Sequence, residues 1–172
     1  AIPECAVTPM LAEDSQRALT IANYLNQAMK NQRGIAINDR AERGTLKNGC
    51  HYYLIEWDQS KITNSGFGGL KLTDYSEANV FVQPGLRDFA DAEYVFLKNV
   101  CTCASIKRLY GVDIPADSEG SDVCTIITCY FLNEDGDLGR TIFSENGHTL
   151  ISEDQYFELR RVVVCERCEE PI

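Results

Sequence analysis

The residues of this chain best equipped for chemistry are its eight cysteines: Cys5, Cys50, Cys101, Cys103, Cys124, Cys129, Cys165 and Cys168. Thiolates at short spacing bind zinc, so Cys101-x-Cys103 taken with Cys165-x-x-Cys168 has the form of a metal site. Cys165-Glu166-Arg167-Cys168 also has the spacing of a redox dithiol. Such a dithiol opens a helix after a strand, and here only Glu169-Glu170-Pro171-Ile172 follow. The even number of cysteines, their spread along the chain and the lack of a second Cys-x-x-Cys favour oxidation to disulfides over metal binding. Each bridge would stabilise the fold by roughly 2–4 kcal/mol, mostly by restricting the unfolded chain. About a hundred pairings of eight cysteines exist, and spacing does not choose among them. Cys101 and Cys103 do not readily bridge each other across one residue, so both must reach elsewhere. Cys5 and Cys168 lie near the two ends, and bridging both into the body would tether them.

The other residues suited to catalysis are sparse. A small secreted acid–base hydrolase needs a base, an acid and a cation, and the chain has only His51 and His148 as histidines. His51 and Glu56, five positions apart on one strand, would face opposite ways. His148 falls in a turn, and both histidines are expected at the surface. There is no Gly-x-Ser-x-Gly turn for a serine hydrolase. Asn133-Glu134-Asp135-Gly136-Asp137 has the flavour of a calcium loop, but the sixth position is Leu138 and the twelfth is Ser144, so a hairpin turn is expected. Gly66, Gly68 and Gly69 are not followed by Lys-Ser/Thr or a helix, which makes a flexible loop the expectation instead of a phosphate cradle. Carboxylates abound, yet no spacing singles out a glycosidase pair. The expectation is no catalytic centre, no cofactor and no metal.

Charge and hydropathy bound the partners. The formal net charge is −10 over 172 residues, which repels nucleic-acid phosphates and anionic membranes. No run of about 20 apolar residues is present to span a membrane. Ala1-Ile2-Pro3-Glu4-Cys5 reads as a processed N-terminus, or equally as the start of an expressed segment. With so many cysteines, the expected compartment is extracellular. The length suits one domain over 1–172, and 44% apolar residues supply a core.

The elements that must position these residues follow from periodicity. A helix is expected over 8–33: Thr8-Pro9 would cap it, Leu11, Ala18, Ala22, Leu25 and Met29 form its apolar stripe, and Gly34 would end it. Asn48-Gly49 marks a turn, and 45–58 reads as a strand, with a Gly-rich connection over 60–74. A short strand is expected at 78–82 and a second helix over 86–98. Val100 to Tyr110 is open between strand and helix, and 113–122 is an acidic loop. Val123 to Leu132, branched and aromatic throughout, is the strongest strand. It turns at 133–137 into a partner over 140–143. Asn146-Gly147 turns again, Ser152 would cap a third helix ending at Arg160-Arg161, and Val162 to Cys165 forms a last strand. Helices mixed with hairpin-linked strands give an α+β fold.

Val100-Cys101-Thr102-Cys103, followed by Ile106, Arg108 and Tyr110, resembles the LARS family, the Leptosphaeria-type avirulence effectors of plant-pathogenic fungi. The early helix and the C-terminal cysteine pair belong to the same plan. The Trp-Arg-aromatic motif of that family is replaced at the sole tryptophan, where Trp57 precedes Asp58. The resemblance implies an antiparallel sheet of about four strands with packed helices, stabilised by disulfides in which Cys101 and Cys103 take part. It implies a cysteine-rich monomer secreted to the host apoplast, a virulence factor whose partners are host plant proteins, immune receptors among them. Two other functions fit the same features: a secreted hydrolase of carbohydrate or RNA, and a cystatin-like protease inhibitor with one long helix on a sheet. The inhibitor would need a Gln-x-Val-x-Gly hairpin, which is absent.

Overall fold

The computed structural model describes residues 4–63, 66–157 and 161–168. The chain gathers into two compact units, Ala1–Tyr75 with Cys165–Ile172, and Ser76–Val164. Both combine helices with strands, and the class is α+β with an antiparallel sheet.

The first unit begins with a 3₁₀ turn, Ala12–Asp14, leading into α1, Ser15–Asn31. Thr8-Pro9 therefore does not cap the helix. Met10 and Leu11 are exposed, so an earlier turn of helix would have nothing to bury. The expected stripe holds further along: Ala18 is buried, and Ala22, Leu25 and Met29 are half-buried. Gly34 does not end a single helix but begins a second one, α2, Gly34–Asn48. The left-handed residue between them is Arg33, at φ 56°. Gly34 is needed for closeness instead of handedness, because a Cβ there would stand 2.7 Å from the Met29 carbonyl oxygen. The buried face of α2 is Gly34, Ile37, Ala41 and Thr45, and Gly49 closes it at φ 88°, donating its N–H to the Thr45 carbonyl at 2.8 Å.

Strand β1 runs from Cys50 to Thr63 and β2 from Gly66 to Ser76. The Gly-rich connection expected over 60–74 is thus mostly strand, with residues 64–65 outside the described set. Its glycines serve packing: Gly68 lies where any Cβ would collide with the Trp57 indole. A third strand, β8, Val164–Cys168, completes the sheet in the order β2-β1-β8. Helix α2 packs on β1, and α1 on α2.

The second unit is a five-stranded antiparallel sheet in the order β3-β4-β5-β6-β7. Its strands are β3, Val80–Val82; β4, Tyr94–Thr102; β5, Val123–Leu132; β6, Leu138–Ser144; and β7, Thr149–Phe157. The helix expected over 86–98 is reduced to a 3₁₀ turn, Phe89–Asp91, capped by the Asp88 carboxylate. Beyond it a period of two wins over the period of 3.6, since Val95 and Leu97 both point into the core. The ambiguous stretch from Val100 is both structures in turn: β4 ends at Thr102, whose hydroxyl accepts from the Ser105 N–H, and α3 runs from Cys103 to Tyr110. The helix expected from Ser152 is instead β7. Its acidic residues serve cross-strand pairs, with Glu153 opposite Arg140 and Ser152 opposite Thr141. The expected helix end at Arg160 lies outside the described residues. The turns at 133–137 and Asn146-Gly147 form as expected, the first around Asn133 Oδ1, which accepts from the Asp135 and Asp137 amides at 3.0 and 2.9 Å.

One face of this sheet is the core: Val80, Val95, Leu97, Ile126, Tyr130, Leu138 and Ile142 are all buried. In register, Val80 faces Leu97, Leu97 faces Thr128, and Thr128 faces Ile142, so one row of side chains crosses four strands. Leu97 has no exposed surface. Leu97→Ala is expected to lower unfolding free energy by about 2–5 kcal/mol, read from urea denaturation, because a cavity at the sheet centre cannot collapse. A loss under about 1 kcal/mol would place Leu97 outside the cooperative core.

Candidate functional site

The cysteines fall into local groups set by strand alternation. In the second unit Cys101 and Cys124 are direct register partners on β4 and β5. Cys103 opens α3, its N–H donating to the Asp122 carbonyl at 2.8 Å. All three pack with Ile106, Ile114, Ile126, Tyr110 and Leu150. Burial pushes the Cys124 thiol up to about 11, and nearby Cys103, Asp117 and Cys101 push the same way. Burial also raises Cys101, and raises Cys129, in β5, to about 11.

In the first unit Cys50, at the start of β1, donates its thiol hydrogen to the Tyr52 hydroxyl at 3.8 Å. Tyr52 in turn donates to Glu166 Oε1 on β8 at 2.9 Å. Burial raises the Tyr52 phenol, and its contacts with Cys50 and Glu166 raise it further. Burial raises Cys168, as do Glu166 and Cys50, and burial raises Cys165. Cys5 is held through its backbone, its N–H donating to Asn26 Oδ1 at 2.8 Å. A thiol kept protonated is a weak nucleophile and a weak metal ligand. Every sulfur shift resolved in this chain is in that direction. Among the described residues, no three His, Cys, Asp or Glu side chains gather as a metal ion would require. All eight sulfurs are unbridged thiols in the structure.

The histidines are placed differently from each other. His148 is exposed in its turn, as expected, with its backbone N–H on Ser144 Oγ at 3.1 Å. His51, expected at the surface, is buried: its side chain is 6% exposed. It points from β1 toward α2, where Gly44 leaves room for the ring and a Cβ would strike Nδ1. Neither ring nitrogen has a hydrogen-bond partner, and Nε2 stands 3.5 Å from Asp74 Oδ2. Asp74 accepts two hydrogen bonds from Arg40, from Nε at 3.0 Å and from the terminal nitrogen at 2.6 Å. These bonds hold the Asp74 carboxyl below its ordinary range, against the opposing effect of burial. Sequence reasoning weighed only Glu56 as a partner for His51, set the two on opposite faces, and missed Asp74. Glu56 pairs with Lys71 instead, at 3.5 Å. Nothing local in the chain signals that Arg40, His51 and Asp74 converge from a helix and two strands.

Chemically, the Arg40–Asp74–His51 cluster is a sealed polar contact. A carboxylate beside an imidazole is the arrangement a hydrolase uses, but a substrate could not touch a ring this deeply enclosed. A shallow depression of about 300 Å³ lies on the same side of β1, lined by Ile37, Asn38, Tyr53, Ile55, Leu72 and Arg167 among others. Its polar edge is already engaged: Arg167 donates to Asn38 Oδ1 at 2.9 Å and to the Tyr53 hydroxyl at 3.4 Å. In the second unit Arg140 is occupied in the same way, paired with Glu153 at 2.7 Å and lying 3.8 Å over the Tyr156 ring.

The Asp74 carboxyl titrates at about its ordinary 3.8 when unfolded and lower when folded, so its contribution to stability is complete above that value. It is lost as pH falls through the lower folded value. Asp74→Asn is expected to cost on the order of 1 kcal/mol at neutral pH, a modest figure because the Arg40 side is well exposed and solvent screens the pair. The gap between variant and parent should close as urea titrations are repeated below about pH 4. A gap unchanged across that range would contradict the ion pair's role.

No protein-family model matches the chain, and no curated protein matches it in sequence.

Proposed function

We propose that this protein is a secreted, disulfide-stapled effector of a plant-pathogenic fungus, of the LARS type, acting in the host apoplast through contacts with host plant proteins, immune receptors among them. The observation that carries the reading is the setting of the sulfurs. Strand alternation turns cysteines toward one another, and Cys101 and Cys124 are direct register partners on β4 and β5, the arrangement that cross-linking requires. Cys101, Cys103 and Cys124 pack together in one unit, and in the other the Tyr52 hydroxyl links the Cys50 thiol to Glu166, two residues before Cys168. An extracellular protein has the redox conditions in which such neighbours oxidise.

The rest of the reading follows from charge and resemblance. A net charge of −10 disfavours nucleic acid and anionic membranes as targets and leaves proteins as partners. No helix among the described residues is long and apolar enough to cross a membrane. The segment that carries the resemblance, Val100 to Tyr110, forms the end of β4 and the whole of α3, with Cys101 and Cys103 turned toward Cys124.

The test is co-expression in plant leaf, with a secretion signal, against a panel of immune receptors. The expected outcome is cell death that depends on at least one receptor and is lost with Cys124→Ser, since an effector that relies on cross-links fails without them. Absence of any receptor-dependent response, together with undiminished virulence when the gene is deleted from the fungus that makes it, would contradict the proposal.

A further inference from the structure

The C-terminal strand β8 returns to the first unit after the whole second unit has been laid down, since Cys165–Ile172 rejoins Ala1–Tyr75. It lies beside β1 in the sheet. Its side chains sort by alternation. Arg167 reaches Asn38 of α2 and the Tyr53 hydroxyl, on the helix-covered side of β1. Glu166 takes the other side, where it accepts from the Tyr52 hydroxyl. Cys168 follows Glu166 by two residues and so shares its side, while Cys50 precedes Tyr52 by two and shares that one. The Cys50 thiol stands 3.8 Å from the Tyr52 hydroxyl, and that hydroxyl stands 2.9 Å from Glu166, so the neighbouring strands bring Cys50 and the Glu166–Cys168 side of β8 to one small group of side chains.

We propose that Cys50 and Cys168 form a disulfide that fastens β8 to β1; the pairing rests on the reading that these cysteines are oxidised. A low-molecular-weight disulfide such as oxidised glutathione is the electron acceptor. The Cys50 thiolate attacks one of its sulfurs, forming a mixed disulfide and releasing one glutathione thiol. The Cys168 thiolate then attacks the Cys50 sulfur and expels the second. The two protein thiols lose two protons and two electrons, and one glutathione disulfide becomes two thiols. Cys165, only three residues away, takes the helix-covered side with Arg167 and lines the depression there with Ile37 and Ile55, so it does not compete for Cys50.

Trypsin separates these cysteines cleanly. It releases Cys50 in the peptide 48–61, Cys165 in 162–167 and Cys168 in 168–172. The full chain, refolded in a glutathione redox buffer, alkylated and digested without reductant, is expected to give one species joining 48–61 to 168–172. With Cys50→Ser, the 168–172 peptide should become alkylated while the remaining bridged peptides are unchanged. A species joining Cys50 or Cys168 to any other cysteine, or Cys168 still bridged in Cys50→Ser, overturns the pairing and leaves the oxidised state standing. All eight cysteines alkylated without reductant would overturn the oxidised state itself, and the pairing with it.

Discussion

A β-strand turns successive side chains to opposite faces, and the contacts of this protein depend first on which face each residue takes. On β4 and β5 alternation sends Val95, Leu97, Cys101, Cys124, Ile126 and Tyr130 to a single side, which is why hydrophobic core and sulfur cluster are continuous there. On β1 the same rule sets His51 and Tyr53 toward α2 and leaves Cys50 and Tyr52 on the other side with Glu166. A slip of one residue in either sheet would carry the cysteines away from their neighbours and the apolar rows into water. The thiols therefore report on register as much as on redox chemistry. The raised pKa values of Cys101 and Cys124 are a consequence of sharing a face with the core.

The parts of the fold readable from sequence are those where local pattern and tertiary context agree. Val123 to Leu132 is branched, aromatic and buried, and it forms as a strand over those residues. Asn48-Gly49, Asn133 to Asp137 and Asn146-Gly147 turn because their own side chains and glycines dictate it. The failures have a common cause. Residues 86–98 and 152 onward carry spacing or capping residues that suit a helix in isolation, yet pairing with a neighbouring strand outweighs that preference. Helix α2 was missed for the opposite reason: its buried stripe of Gly34, Ile37, Ala41 and Thr45 is small and interrupted by charge, so it lacks a strong hydrophobic period. Gly68 could not be told from a loop glycine without knowing that the Trp57 indole lies across it.

The same limit applies to the polar contacts. Arg40, His51 and Asp74 are far apart in the chain, and only the packing of α2 on β1 and β2 brings them together. His51 is an example of a histidine whose conspicuous position signals burial instead of catalysis. The Cys-Thr-Cys segment was more informative, because its two cysteines straddle a helix cap. Thr102 ends β4 and caps α3, so Cys101 belongs to the strand and Cys103 to the helix while both approach Cys124. That junction lets two cysteines one residue apart contribute to one apolar cluster from two different elements.

The proposed function places this acidic chain in a compartment in which its sulfurs are joined. The number of free thiols in the folded protein tests this directly. The protein, purified from a secretory host, would be treated with a thiol-specific alkylating reagent under denaturing conditions, before and after reduction, and weighed intact. The account predicts no label before reduction and eight labels after it. Labels at most cysteines before reduction would contradict it, and would place the protein's chemistry among thiols instead of cross-links.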